Sequence, residues 1–188
     1  MPIYSSVKET VKEFLQIAII ALAIVLPIRY FLVQPFLVKG ASMEPNFHDS
    51  EYLLIDELSY RFREPLRGEV VVIHAKESIK DFYIKRLIGF PGERVVISGG
   101  VVTIYDAEGK GVQLSESYLP QGLATNGDVT MTLAADEFFV LGDNRPSSLD
   151  SRFIGAIKRS ALVGRVWIRG WPFDRLEKFE APTYTTSN

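Results

Sequence analysis

Residues 69–74 read Glu69-Val70-Val71-Val72-Ile73-His74, a β-branched run of the kind found in buried strands. A turn, Glu64-Pro65-Leu66-Arg67-Gly68, precedes it. Phe82 to Ile88 reads as another strand, closed by the turn Phe90-Pro91-Gly92-Glu93. Upstream, Leu53-Leu54-Ile55 is a strand and Phe36 to Lys39 a short extended segment. Downstream, Arg94 to Ile97 and Val101 to Tyr105 flank Ser98-Gly99-Gly100, a hairpin signal. Val129 to Leu133, Glu137 to Leu141 and Ala161 to Ile168 complete the set. Short strands separated by frequent turns predict a mainly β fold, an all-β domain built as a barrel or as packed sheets. The segment from about 99 to 132 is richer in glycine and polar residues and reads as a small inserted β subdomain. Residues 181–188 are polar and read as a flexible tail.

The N-terminus differs in kind. From Phe14 to Val33 the chain is apolar except for Gln16 and Arg29, over about 20 residues, the length of a membrane-spanning helix. Pro27 and Arg29 fall near its far end, where a kink and a snorkelling cation are tolerable. No small-residue cleavage site follows, which argues against a removable leader. Gln34-Pro35 ends the helix, because the residue before proline resists helical geometry. Residues 1–34 are therefore expected to form an N-terminus and transmembrane anchor, and 35–188 the β domain. Charges on the two flanks do not decide the orientation: Lys8 and Lys12 are offset by Glu9 and Glu13, and Arg29 and Lys39 lie on the other side.

Composition narrows the chemistry. The 188 residues carry a net charge of −2 and are 47% hydrophobic, so nothing points to nucleic acid. With no cysteine, disulfides and thiolate catalysis are excluded. The two histidines, His48 and His74, lack metal-spaced partners. No metal and no cofactor is expected. Three clusters remain: Gly40-Ala41-Ser42-Met43-Glu44-Pro45, Tyr83-Ile84-Lys85-Arg86, and the dense loop Gly142 to Arg152. Taken singly, Ser42 is a turn residue, Lys85 a solvent-facing strand lysine and the loop a solvated surface. Taken together, a serine just outside an anchor and a lysine in an apolar strand suggest a hydrolase that uses lysine as its base. A lysine serves only when neutral, so its pKa must fall from about 10.4 by burial. Tyr83 and Leu87 share its face at strand spacing. Gly40 allows close backbone approach and could leave a main-chain N–H aimed at an oxyanion.

In order and content the three clusters resemble type I signal peptidases. The resemblance runs over nearly the whole chain. The family's serine stands in a G-x-S-M-x-P context, its lysine in Y-[IV]-K-R-x-x-G-x-P-G, and its loop reads G-D-N-R…S-x-D-S-R. Here these are Gly40 to Pro45, Tyr83 to Gly92 and Gly142 to Arg152. Arg67-Gly68-Glu69-Val70-Val71-Val72 and Val166-Trp167-Ile168-Arg169-Gly170-Trp171-Pro172 are similar to two further family strands. The resemblance implies a membrane-bound serine endopeptidase that removes signal peptides from exported preproteins after small-x-small (Ala-x-Ala) sites. It implies Ser42 as nucleophile, Lys85 as general base and Ser148 as a hydrogen-bond partner of the lysine. Asp143, Asp150 and Arg152 would brace the loop. Phe36, Val38, Met43, Tyr83 and Ile84 would wall shallow pockets that exclude large side chains.

The implied setting is the plasma (inner) membrane, single-pass, with the catalytic domain on the extracytoplasmic side. Its partners would be signal peptides, the lipid bilayer and, through preprotein traffic, the translocation machinery. Leu32, Val33, Phe36 and Leu37 are expected near lipid. Two positions depart from the family pattern. Gly40 stands where some members carry a serine that helps the oxyanion hole, leaving the Ser42 backbone N–H as the donor. Pro146-Ser147 replaces the usual acidic or amide pair in the loop. Two rival readings are a self-cleaving regulator of the repressor type and a tethered, non-catalytic peptide-binding domain. The anchor and the absence of a DNA-binding helical unit weigh against the first, the serine–lysine pair against the second.

Overall fold

The structure, a computed structural model, describes residues 3–31, 33–75, 78–182 and 184 (the backbone alone at 3–8, 24–31, 33 and 78–80). In chain order, helix α1 (Ile3–Phe31) leads into β1 (Val33–Leu37) and β2 (Tyr52–Asp56). Next come β3 (Val70–Ala75) and the long β4 (Ser78–Gly89). Then follow β5 (Arg94–Ser98), β6 (Val101–Tyr105), β7 (Gly111–Gln113) and β8 (Val129–Thr132). The chain closes with β9 (Glu137–Leu141), the single-turn helix α2 (Ser151–Ile154), β10 (Ile157–Lys158), β11 (Leu162–Trp171) and β12 (Glu177–Lys178).

These strands make two sheets. The larger has the order β1-β2-β11-β3-β4-β9-β10, with β12 beside β11. The smaller, β7-β6-β5-β8, is formed entirely between β4 and β9. The strand pairings among the described residues are antiparallel. The run Val70–Ile73 reads as continuously apolar because β3 is buried on both faces. Val70 and Val72 join Leu53, Ile55 and Val166 in one core; Val71 and Ile73 join Leu87, Val140 and Leu162 in another. Ile88 and Leu141 reach a third core with Val95, Ile97 and Val102 of the small sheet. The strand β4 thus touches each of these cores, through Ile88, Ile84, and Leu87 with Tyr83.

The apolar N-terminal stretch does form a helix. Among the described residues, however, no helix is long and apolar enough to cross a membrane. Of the residues expected near lipid, Leu32 lies outside the described residues, as do Met1 and Pro2. The C-terminal segment is less free than its polarity predicts. Pro182 and Tyr184 lie against Gly68, and the Tyr184 hydroxyl is 3.4 Å from that of Tyr118. An aromatic ring with an apolar surface to cover outweighs local polarity there. Residues 183 and 185–188 of the expected tail lie outside the described residues.

Candidate active site

Two loops and one strand build the site. The first loop begins at Gly40, whose φ of +85° is left-handed backbone that glycine adopts without steric cost. Its N–H donates to Asp49 Oδ1 at 2.7 Å. The chain then coils: the Glu44 N–H donates to the Ala41 carbonyl at 3.1 Å and the Phe47 N–H to the Met43 carbonyl at 3.0 Å. The Met43 and Phe47 side chains are buried in the core under β2 and β3. This peg fixes the loop and leaves Ser42 on its outer side.

The strand β4 brings the amine. Lys85 Nζ lies 2.8 Å from Ser42 Oγ and donates to the Ile84 carbonyl at 2.8 Å. Lys85 is only 3% exposed, which removes the solvent-facing alternative. Burial lowers its pKa from the ordinary 10.5 to about 8; the charges of Asp150 and Asp143 oppose this and only partly offset it. The other buried cations differ. Arg86 pairs with Asp143, Arg145 with Glu116, Arg152 with Asp150 and Arg169 with Glu51. Among the described residues Lys85 has no carboxylate partner.

The second loop follows β9. Asp143 is fully buried and receives both Nε (2.8 Å) and Nη2 (2.6 Å) of Arg86, with the Asn46 amide at 2.8 Å. Asp150 accepts the Gly142 N–H at 3.0 Å, caps α2, and holds Arg152 through two bonds of 2.8 and 2.7 Å. Asn144 reaches across to the first loop: its N–H donates to the Ser42 carbonyl at 3.1 Å and its amide to the Ala41 carbonyl at 2.9 Å. Gly142 sits so close that a Cβ there would overlap Ser148 Oγ and the Ser42 carbonyl oxygen. The two loops are pressed together with no room for a side chain.

A groove of about 450 Å³ opens at this junction. Phe36, Val38, Tyr83 and Ile84 line it together with Ser42 and Lys85; buried Leu53 and Val72 form its floor, and exposed Lys39 and Asp81 its rim. The outer edge of β1 ends the large sheet, and β9 pairs β4 only from Arg86 to Gly89. Two strand edges without a neighbour among the described residues therefore border the groove.

Three expectations change. Met43 is not a pocket wall: it is 1% exposed, and its sulfur accepts the Asp143 N–H at 3.4 Å. Gly40 offers no free N–H, because Asp49 takes it. Ser148 makes no bond to Lys85; its buried hydroxyl has no partner among the described residues. Sequence reasoning also passed over Asn46, Asp49, Gly142 and Asn144 as working residues. Asn144 stood inside a quoted motif, which was the available signal. Asn46 and Asp49 had none, since their partners are set by the fold.

The family model for signal peptidase, peptidase S26, matches residues 11–171. The chain is 36% identical over 172 residues to a signal peptidase I of Leptolyngbya laminosa, covering 87% of this chain and 81% of that one. It is 34% identical over 179 residues to signal peptidase I T of Bacillus subtilis, covering 90% of each. It is also similar to a crystal structure of a signal peptidase I from Enterococcus faecalis V583, with a TM-score of 0.47 and 29% identity over 55% of this chain and 97% of that one. The chain belongs to the signal peptidase family, peptidase S26, and is a serine endopeptidase of the signal peptidase I type.

Proposed function

We propose that this enzyme cleaves signal peptides after small-x-small sites by a serine–lysine mechanism, with Ser42 as nucleophile and Lys85 as general base. The observation that carries the reading is the 2.8 Å approach of Lys85 Nζ to Ser42 Oγ, at an amine that is buried and faces no carboxylate. A pKa of about 8 leaves a useful fraction of neutral amine near neutral pH. As Oγ attacks the scissile carbonyl, the amine takes the hydroxyl proton. The resulting ammonium returns that proton to the departing amine, and water then opens the acyl-enzyme. The Ser42 N–H, without an acceptor among the described residues, is the donor for the oxyanion.

The substrate would lie extended in the groove and pair with the bordering strand edges. Phe36, Val38, Tyr83 and Ile84 line the groove, and their apolar bulk would restrict its pockets to small side chains. Asp143, Asp150, Arg152 and Ser148 act on the loop around Gly142, and through it on Ser42. A membrane location belongs to the same proposal. Phe14, Leu15, Ile17, Ile19, Ile20 and Leu22 are exposed on all sides of α1, an arrangement stable only against lipid or another apolar surface. The β domain would then lie on the extracytoplasmic side, where exported preproteins emerge.

The test is incubation of the full chain in detergent with a preprotein bearing an Ala-x-Ala site, with N-terminal sequencing of the product. Cleavage directly after the second alanine is expected, and none with Ser42→Ala or Lys85→Ala. Full cleavage by either variant contradicts the mechanism. Recovery of the whole chain in the soluble fraction after cell lysis contradicts the membrane location.

A further inference from the structure

A serine–lysine pair leaves open what aims the Ser42 N–H. Contacts converge on the peptide between Ala41 and Ser42. Its carbonyl oxygen accepts the Asn144 side-chain amide at 2.9 Å and the Glu44 N–H at 3.1 Å. One peptide further on, the Ser42 carbonyl accepts the Asn144 backbone N–H at 3.1 Å. Asn144 therefore grips the carbonyls on both sides of the Ser42 Cα. A trans peptide is planar, with its N–H and C=O on opposite sides. Holding the Ala41 oxygen against Asn144 turns the Ser42 N–H away from the second loop. The Glu44 bond is internal to the first loop; Asn144 supplies the tie to a different element. Its neighbour Asp143 is fixed by Arg86 to the strand that carries Lys85, so nucleophile, oxyanion donor and base share one frame.

We propose that Asn144 is a positioning residue for the oxyanion site: its side-chain amide sets the plane of the peptide whose N–H meets the developing negative charge. This rests on the reading of Ser42 as nucleophile. Asn144→Ala removes the bond to Ala41, and Asn144→Asp keeps the shape but replaces the donor with an acceptor. Both are compared with the unaltered full chain for cleavage kinetics, pH profile and inhibition by a peptide boronic acid of small-x-small sequence, whose tetrahedral boronate resembles the intermediate. The expected result is a fall in kcat of about 10- to 100-fold with little change in KM. Boronate affinity should fall in proportion. In Asn144→Ala the acid limb of the pH profile should stay in place, because Asn144 makes no bond to Lys85 and the change leaves the charge unaltered; aspartate should not rescue kcat.

Retained kcat in Asn144→Ala overturns the proposal. So does a loss confined to KM, an unchanged boronate affinity, a displaced acid limb in Asn144→Ala, or failure of both variants to fold, which would make the role purely structural. Ser42→Ala run in parallel separates the two levels. If it still cleaves, the reading of the site fails; if it is inactive while Asn144→Ala is not, only the role of Asn144 fails.

Discussion

Lys85 and Arg86 are neighbours on β4, point to opposite faces and are almost equally buried, at 3% and 6% exposure. Their surroundings differ. Around Arg86 the fold supplies a carboxylate with two bonds, the Gly68 carbonyl at 2.8 Å and the Tyr118 ring 3.9 Å from its Cζ. Burial works against its charge, but the bonds and charge of Asp143 outweigh it and hold its pKa above the ordinary value. Around Lys85 the fold supplies a hydroxyl and a carbonyl. Burial wins there, and the pKa falls to about 8. One strand thus carries a cation held in its charged form and a cation whose charge is disfavoured, as the proposed base requires. The presence or absence of a paired carboxylate decides which is which.

The sharpest way to break this contrast is Lys85→Met. Cleavage should fall by about 10⁴-fold or more, as when one member of a nucleophile–base pair is lost. Stability should move the other way. The folded pKa of Lys85 lies below the unfolded one, so between about 8 and 10.5 the unfolded chain binds more protons and wild-type stability rises with pH. Below that window the buried ammonium is a penalty of roughly 3 kcal/mol at 1.36 kcal/mol per pH unit. Lys85→Met should therefore be the more stable protein in denaturant titrations at pH 7, with the gap closing above pH 10.5. A variant less stable at pH 7 would mean that the ammonium is well solvated.

The opposite face makes the reverse prediction. Asp143→Asn leaves Arg86 buried without its anion and should cost about 3–5 kcal/mol, read from the denaturation midpoint. A loss under about 1 kcal/mol would place Arg86 in effective contact with water. Gly142→Ala forces the two loops apart. It should lower kcat by about 100-fold, through displacement of Ser42 by a fraction of an ångström to an ångström. Equal activity would show that the loops have slack. The smallest effect is electrostatic: Asp150→Asn removes a charge that raises the Lys85 pKa. The acid limb of the cleavage profile should move to lower pH, by under about one unit. Movement to higher pH would contradict the assignment of that limb to Lys85.

What the sequence made legible follows the range of the forces. The β-branched run Val70–Ile73, the Ser98-Gly99-Gly100 hairpin and the strand Glu137–Leu141 are local patterns, and each forms. Strand period placed Lys85 on the face of Tyr83 and Leu87, but period alone cannot say which face is dry. That depends on Ser42, 43 residues away, and on a core assembled from β3, β9 and β11. The Arg86–Asp143 pair spans 57 residues and leaves no spacing signature. The short strands β7, β10 and β12, of two or three residues, exist because a neighbour offers its edge and carry no pattern of their own. Met43 misled for a related reason: its position beside Ser42 implied a pocket, while its side chain turns inward into the core.

The protonation state of one amine carries the whole account, and it can be read directly. The full chain, in micelles, labelled with ¹⁵N at lysine side chains and carrying Ser42→Ala against self-cleavage, can be titrated by NMR while following the Lys85 Nζ resonance, assigned by its loss in Lys85→Met. The account predicts a midpoint near 8, well below the remaining lysines. A midpoint above 10, shared with lysines in open water, would contradict it.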